Sequence, residues 1–248
     1  MSFSHKKLYV IFPAAGSGTR MKSDKNKLLM EVCGIPVIDR TLTAFRKFAD
    51  ESGIELHSIL VVSPGKTEEW ASYIKDKDYA SITDTITEGG DTRTKSVGNG
   101  VSSLSDPDFP VPGPDDAVFI HDAARCLIDS DSLLRCLEAI SDDGTDVCVS
   151  GVKTKNTIKM VKSGTTFVES TPDRDLLYEV QTPQCFKYSV LKECYERAQT
   201  DGFEATDDTA LAEHYGYKVR IVEGSYSNIK ITTPEDIVIA EALLKNMQ

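Results

Sequence analysis

The 248-residue sequence predicts an α/β fold, a mainly parallel sheet flanked by helices, from three observations. Short apolar runs alternate with stretches of helical periodicity, the pattern left by strands joined through crossover helices. The first apolar run leads into a small-residue, glycine-containing loop, where ligands meet the carboxyl ends of parallel strands. The composition, 40% hydrophobic and 27% charged with 16 Gly and 10 Pro, is globular and excludes a disordered, collagenous or coiled-coil chain.

The elements follow in order. Residues 9–14 read as the first strand. Ile38, Leu42, Phe45 and Phe48, spaced 4, 3 and 3, then line one helical face. Residues 58–63 form the second strand, ended by Pro64-Gly65, and residues 68–75 a helix in which Trp70 is a core or edge anchor. A third strand at 81–87 precedes Gly89-Gly90-Asp91 and a helix through Ser96, Val97 and Val101. The stretch from Pro107 to Pro114, with four prolines, is a surface loop. Strands at 117–122 and 147–152 flank a helix marked by Leu133, Leu137 and Ile140.

Between about residues 154 and 168 two short β runs around Lys162-Ser163-Gly164 read as a hairpin. An arm of this kind exposes two strand edges, and pairing with a second copy covers them, so a homodimer is expected. Leu191, Cys194, Tyr195 and Ala198 mark the next helix, residues 207–214 another, and residues 218–223 a strand. Thr233-Pro234-Glu235-Asp236 has the chemistry of a helix start, with Ile237, Ala240, Leu244 and Met247 expected on its core face. Neither a repeat nor a linker interrupts residues 1–248, so one domain with a β-arm insertion at about 153–170 is expected.

With 28 Lys plus Arg against 39 Asp plus Glu, the net charge of −11 argues against nucleic acid as a partner. The longest apolar run, residues 8–15 broken by Pro13, is too short for a membrane span, and the opening residues lack a secretory apolar region. A cytoplasmic location is expected. Cys33, Cys126, Cys136, Cys148, Cys185 and Cys194 form no Cys-x-x-Cys pair and no zinc pattern, and are expected mostly as small buried apolar residues.

The chemistry is expected beyond the strand ends. The loop Ala14-Ala15-Gly16-Ser17-Gly18 lets a ligand approach the backbone, whose N–H groups suit phosphate. Met21 stands where the dinucleotide fingerprint needs its third Gly and where the Walker pattern needs its Gly-Lys-Ser/Thr, so neither fits and a nicotinamide dehydrogenase is disfavoured. By itself the loop is equally a turn; Arg20 and Lys27 just beyond it favour an anion site, while Lys22 and Lys25 read as solvated lysines. Gly90 and Asp91 with Ser96 form a second constellation. His121-Asp122-Ala123-Ala124-Arg125 forms a third, in which Asp122 is the candidate Mg²⁺ ligand and His121 reads as a hydrogen-bonded structural residue. The fourth, Asn228-Ile229-Lys230-Ile231-Thr232, places Lys230 beside a strand end near the carboxyl terminus.

These blocks, with Asn156-Thr157-Ile158-Lys159, Thr171-Pro172-Asp173-Arg174, Gln181-Thr182-Pro183-Gln184 and Thr206-Asp207-Asp208, resemble in order the 2-C-methyl-D-erythritol 4-phosphate cytidylyltransferase family. The resemblance spans almost the whole chain. It implies a Rossmann-like body with a projecting dimerisation arm, and CTP and 2-C-methyl-D-erythritol 4-phosphate as substrates. It further implies that Ala14, Ala15 and Gly16 line the nucleotide, that Gly90, Asp91 and Ser96 read cytosine and ribose, and that Arg20, Lys27 and Lys230 hold phosphates. Asp122 would bind Mg²⁺, Arg125 would belong to the substrate pocket, and Thr157 and Arg174 would reach the substrate from the neighbouring subunit's arm. Cys126 departs from the family's usual Pro and removes a fixed φ beside Arg125. A cytidylyltransferase for another polyol phosphate, such as ribitol 5-phosphate, shares several of these blocks. A non-catalytic nucleotide-binding regulatory protein is disfavoured because Arg20, Lys27, Asp122 and Lys230 are all present.

Overall fold

The computed structural model describes residues 6–16 and 26–247. Strand β1 (Lys7–Pro13) is followed by a small hairpin, β2 (Glu31–Val32) and β3 (Ile35–Pro36), then α1 (Val37–Ser52), β4 (Glu55–Val62), α2 (Thr67–Ile74), β5 (Thr83–Glu88) and α3 (Arg93–Ser103). Next come β6 (Ala117–Ile120), α4 (Ser130–Ser141), β7 (Val147–Lys153), the arm strands β8 (Met160–Val161) and β9 (Val168–Ser170), and β10 (Tyr178–Lys187). The chain closes with α5 (Tyr188–Asp201), α6 (Asp208–His214), β11 (Val219–Glu223) and α7 (Pro234–Met247). Among the described residues, no helix is long and apolar enough to cross a membrane.

Seven strands form the central sheet in the order β11-β7-β10-β6-β1-β4-β5, and only β10 runs antiparallel to its neighbours. From β1 the chain moves to β4 and β5 on one side, then returns to β6 on the other. This reversal puts a crevice beyond the carboxyl ends of β1 and β6.

Alternation along β1 supplies both faces of the sheet. Leu8, Val10 and Phe12 pack towards α1 and α4, with Phe12 meeting the Phe45 ring edge-on at 4.9 Å. Tyr9 and Ile11 pack towards Val97 and Val101 of α3 and Leu191 and Tyr195 of α5. A Cβ on Gly100 would lie 2.8 Å from Ile11 Cγ2, so the glycine lets α3 lie close on the sheet.

Several features depart from the sequence reading. The strand β10 was not expected, because its run is polar and contains Pro183. The ladder register shifts between Val180 and Gln184, where a residue without an N–H is tolerated. Its buried polar side chains find partners in loops: Gln181 donates to the Ser225 carbonyl (2.8 Å), and Gln184 Oε1 accepts the Asp208 N–H (2.8 Å). Met247, expected on a core face, is 53% exposed; α7 buries Ala240 and packs Ile237 and Leu244, and its last turn runs past the core. Lys230, expected beside a strand end, lies in residues 224–233, which form neither helix nor strand. Five of the six cysteines are buried as expected, and Cys33 is exposed with φ 48° in the β2–β3 turn.

At the start of α7 the first-turn acid does the capping. Asp236 Oδ2 accepts the Thr232 N–H (2.7 Å), the Thr233 N–H (2.8 Å) and the Thr232 hydroxyl (2.8 Å). Burial pushes this carboxyl up, but the bonds from Thr232 and Thr233 outweigh it and hold it below the ordinary range. Asp236→Ala is expected to lower stability by about 1 kcal/mol, or about 2–4 °C in Tm, at neutral pH. A lowered carboxyl stabilises the fold above its unfolded pKa and loses that contribution as pH falls through the folded value. As pH falls below the ordinary carboxylate range, melts of wild type and variant should therefore converge.

Candidate active site

Two loops meet beyond β1 and β5. The Ala14 N–H continues the ladder onto the Val61 carbonyl (2.7 Å), and the Ser63 hydroxyl donates to the Ala15 carbonyl (3.2 Å). A Cβ on Gly89 would lie 2.7 Å from Ala15 Cβ and 2.8 Å from Ser96 Oγ, so the loops touch and only glycine fits. Ser96, in the first turn of α3, accepts the Gly90 N–H (3.1 Å) and donates to the Thr92 carbonyl (2.8 Å). Asp91 is exposed and pairs with Lys95 at 2.8 Å. Lys27 opens a short turn held by the Asn26 side chain, and its Nζ reaches the first loop: a Cβ on Gly16 would lie 3.6 Å from it. Thus Ala14, Ala15, Gly16, Lys27, Gly90 and Ser96 share one mouth. Arg20 lies outside the described residues.

Asp122, just past β6, is the centre of a buried charge cluster. Its Oδ2 is 2.8 Å from Lys230 Nζ and 3.5 Å from Arg125 Nε. Burial alone would raise this carboxyl, but Lys230, Arg93 and Arg125 more than offset it and hold it well below the usual carboxylate range. Arg125 also donates to the Asn228 carbonyl (2.7 Å). Among the described residues no three His, Cys, Asp or Glu side chains gather into a metal cage. A lone carboxylate is not a zinc or calcium site, but it suits Mg²⁺, which takes one or two carboxylates and completes its shell with water and phosphate oxygens.

His121 is fully buried, and burial pushes its pKa down to about 4, so it is neutral at pH 7. Its Nε2 faces the Arg125 carbonyl (3.2 Å), which can only accept, so Nε2 carries the proton and Nδ1 accepts from the Thr182 hydroxyl (3.1 Å). The Thr182 oxygen in turn accepts the Asp122 N–H (3.1 Å). Both ring nitrogens are engaged in shaping the loop, which is the structural role read from the strand-end position. Cys126 is buried too, its thiol pushed up by burial to about 11, so it packs as a small apolar residue.

Arg93 is not singled out by the sequence, and Asp208 enters there only within the block Thr206-Asp207-Asp208, without a role of its own. Arg93 forks onto Asp208 with two bonds of 2.6 Å, and Asp208 also accepts the Tyr195 hydroxyl (2.6 Å). The preceding Asp207 caps α6 through the Ala210 N–H (2.9 Å). Within Thr206-Asp207-Asp208 one acid therefore caps a helix and the other anchors α3 near Asp122. A cleft of about 890 Å³ between α3 and α5 meets this region at Gly90, Thr94, Lys95 and Tyr195.

Thr157 and Arg174 are not brought to this cluster within one chain. Both are exposed on the arm and make no hydrogen bond or ion pair to Asp122 or Lys230. The arm also exposes apolar side chains, Phe167 at 75% and Leu176 at 78% among them.

The chain matches the family model for 2-C-methyl-D-erythritol 4-phosphate cytidylyltransferase (IspD) over residues 8–246. It is 38% identical to the enzyme of that name from Clostridium novyi (strain NT), over 96% of each chain. It is 40% identical to that from Microcystis aeruginosa (strain NIES-843 / IAM M-2473), over 96% of this chain and 98% of the relative. In three dimensions it resembles 4-diphosphocytidyl-2C-methyl-D-erythritol synthase from Anaerococcus prevotii DSM 20548, with a TM-score of 0.77 and 30% identity over 96% of this chain and 98% of that one. The match in sequence runs through the same loops that the fold gathers around Asp122, and the chain belongs to the 2-C-methyl-D-erythritol 4-phosphate cytidylyltransferase family.

Proposed function

We propose that the chain transfers CMP from CTP to 2-C-methyl-D-erythritol 4-phosphate, forming 4-diphosphocytidyl-2-C-methyl-D-erythritol and pyrophosphate in the non-mevalonate isoprenoid pathway. The observation that carries this reading is the Asp122, Lys230 and Arg125 cluster at the mouth of a mainly parallel sheet, in a chain of net charge −11. A phosphate oxygen of the acceptor forms a bond to the α-phosphorus of CTP, the bond to the bridging oxygen breaks, and pyrophosphate leaves. The acceptor needs no base, because a phosphomonoester with a second pKa near 6 is mostly dianionic at pH 7. A neutral His121 with both nitrogens occupied agrees with that.

The barrier is repulsion between anions, about 4 kcal/mol for one unit pair at 4 Å and an effective dielectric of 20. Lys27, Lys230 and Arg20 hold the phosphates and stabilise charge that grows on their oxygens. Asp122 would hold Mg²⁺, whose charge neutralises phosphate oxygens when it is bound. Ala14, Ala15 and Gly16 line the nucleotide, and Gly90, Asp91 and Ser96 read cytosine and ribose. Arg125 belongs to the acceptor's pocket.

The chain acts as one domain whose arm completes the site of a partner copy in a cytoplasmic homodimer, bringing Thr157 and the planar guanidinium of Arg174 to the acceptor phosphate. Apolar side chains as exposed as Phe167 and Leu176 support this, since such surface marks an interface.

Pyrophosphate release tests the reading, with CTP, ATP, GTP and UTP each offered with methylerythritol phosphate or ribitol 5-phosphate. Release is expected only with CTP and methylerythritol phosphate. Turnover of ribitol 5-phosphate instead, or binding of CTP with no release, overturns it.

A further inference from the structure

We propose that Asn228 is a positioning residue for this reaction: its buried amide ties the Lys230 loop to the Asp122 loop, so that Lys230 and Arg125 stay aimed at Asp122. The inference rests on the role given to Lys230 above and deepens it.

Lys230 sits on residues 224–233, a segment between β11 and α7 with neither helix nor strand. Nothing in such a segment fixes a long, flexible lysine by itself. Asn228 supplies the missing constraint. It is fully buried, and its Nδ2 donates to the Thr182 carbonyl (2.8 Å), 46 residues away in sequence. Thr182 in turn takes the Asp122 N–H on its hydroxyl (3.1 Å), a further 60 residues away. Asp122 Oδ2 then meets Lys230 Nζ (2.8 Å), and two residues of backbone return the circuit to Asn228.

The same residue holds the third charge. Its main-chain carbonyl accepts from Arg125 Nη1 (2.7 Å), while the Ile231 N–H donates to the Ala124 carbonyl (2.9 Å). Three segments distant in sequence, at 121–125, 181–184 and 228–231, are thus joined around one carboxylate.

The amide is poorly explained by stability. Asn228 Oδ1 is buried with no hydrogen-bond partner among the described residues, and a half-satisfied buried amide is a weak stabiliser. An apolar side chain would fill the space, but it could not hold the Thr182 carbonyl. Asn228 touches neither substrate nor metal in this scheme; it acts through Lys230 and Arg125.

Asn228→Ala removes the tie, and Asn228→Asp keeps the size while replacing the donor with an oxygen. In pyrophosphate release with CTP, Mg²⁺ and methylerythritol phosphate, each should lower kcat by about 10- to 100-fold, with KM for CTP within about threefold. In a Lys230→Ala background, Asn228→Ala should cost clearly less than it does in the wild type, because one of the two groups it positions is gone and only Arg125 remains. Wild-type kcat in folded Asn228→Asp beside an impaired Lys230→Ala overturns the inference alone. So does an undiminished further loss in the Lys230→Ala background, or failure of both Asn228 variants to fold, since the residue would then be structural. Full activity of Lys230→Ala overturns the role of Lys230 itself and the inference with it.

Discussion

Asp122→Asn is expected to lower kcat by about 10³-fold while leaving the fold intact. The substitution keeps the size and the main-chain N–H that Thr182 accepts, so the loop remains anchored. It removes the one charge that Lys230 and Arg125 share, at 2.8 and 3.5 Å, and leaves two cations facing each other without a counterion. It also removes the carboxylate proposed to take Mg²⁺. Loss of several kcal/mol of transition-state stabilisation, taken as about 4, corresponds to about three decades at 1.36 kcal/mol each. Steady-state kcat at saturating CTP and Mg²⁺, with a thermal melt to verify folding, measures it. A folded variant within tenfold of wild type would remove Asp122 from the mechanism.

Lys27→Ala is expected to lower kcat by at least about 10²-fold, the range for losing one preorganised donor to a developing charge. Its Nζ lies close to Gly16, in the mouth where the Ala14–Gly16 and Gly89–Gly90 loops touch. If Arg174 serves the site of the partner copy, mixing Lys27→Ala with Arg174→Ala chains restores activity, because each heterodimer holds one intact composite site. Verified heterodimers with no recovery would contradict the shared site. An unchanged kcat in folded Lys27→Ala would remove that lysine from the chemistry.

Legibility in the sequence followed the range of the interactions. Apolar strands such as β4 and β6 and helices with periodic faces such as α1 are local patterns, and they lie where the sequence places them. The strand β10 was hidden because three of its buried residues, Gln181, Thr182 and Gln184, are polar and find partners in loops distant in sequence, which leaves Cys185 and Phe186 as its fully buried apolar side chains. Asp122, Arg125 and Lys230 were each visible as charged residues beside strand ends or in a distinctive motif. That one carboxylate oxygen gathers the two cations is a property of the folded chain. Arg93 and Asp208 lie 115 residues apart, and no periodicity links them. Asn228 was visible only as a neighbour of Lys230, since its work is done by a buried amide rather than by charge.

The contrast between a strongly acidic chain and a local cluster of cations has a physical purpose. Within a chain of net charge −11, Lys230, Arg125 and Arg93 create a confined positive field around Asp122. The loops carrying them are fixed by backbone contacts such as Ala14 to Val61 and Ile231 to Ala124, so little reorganisation is needed when charge shifts.

Crystallography of the chain with CTP and Mg²⁺ tests this account most directly. It predicts the metal on the Asp122 carboxylate, with Lys27 and Lys230 on oxygens of the triphosphate. A triphosphate bound elsewhere, with Asp122 still closed on Lys230 and Arg125 and no metal beside it, would contradict the account.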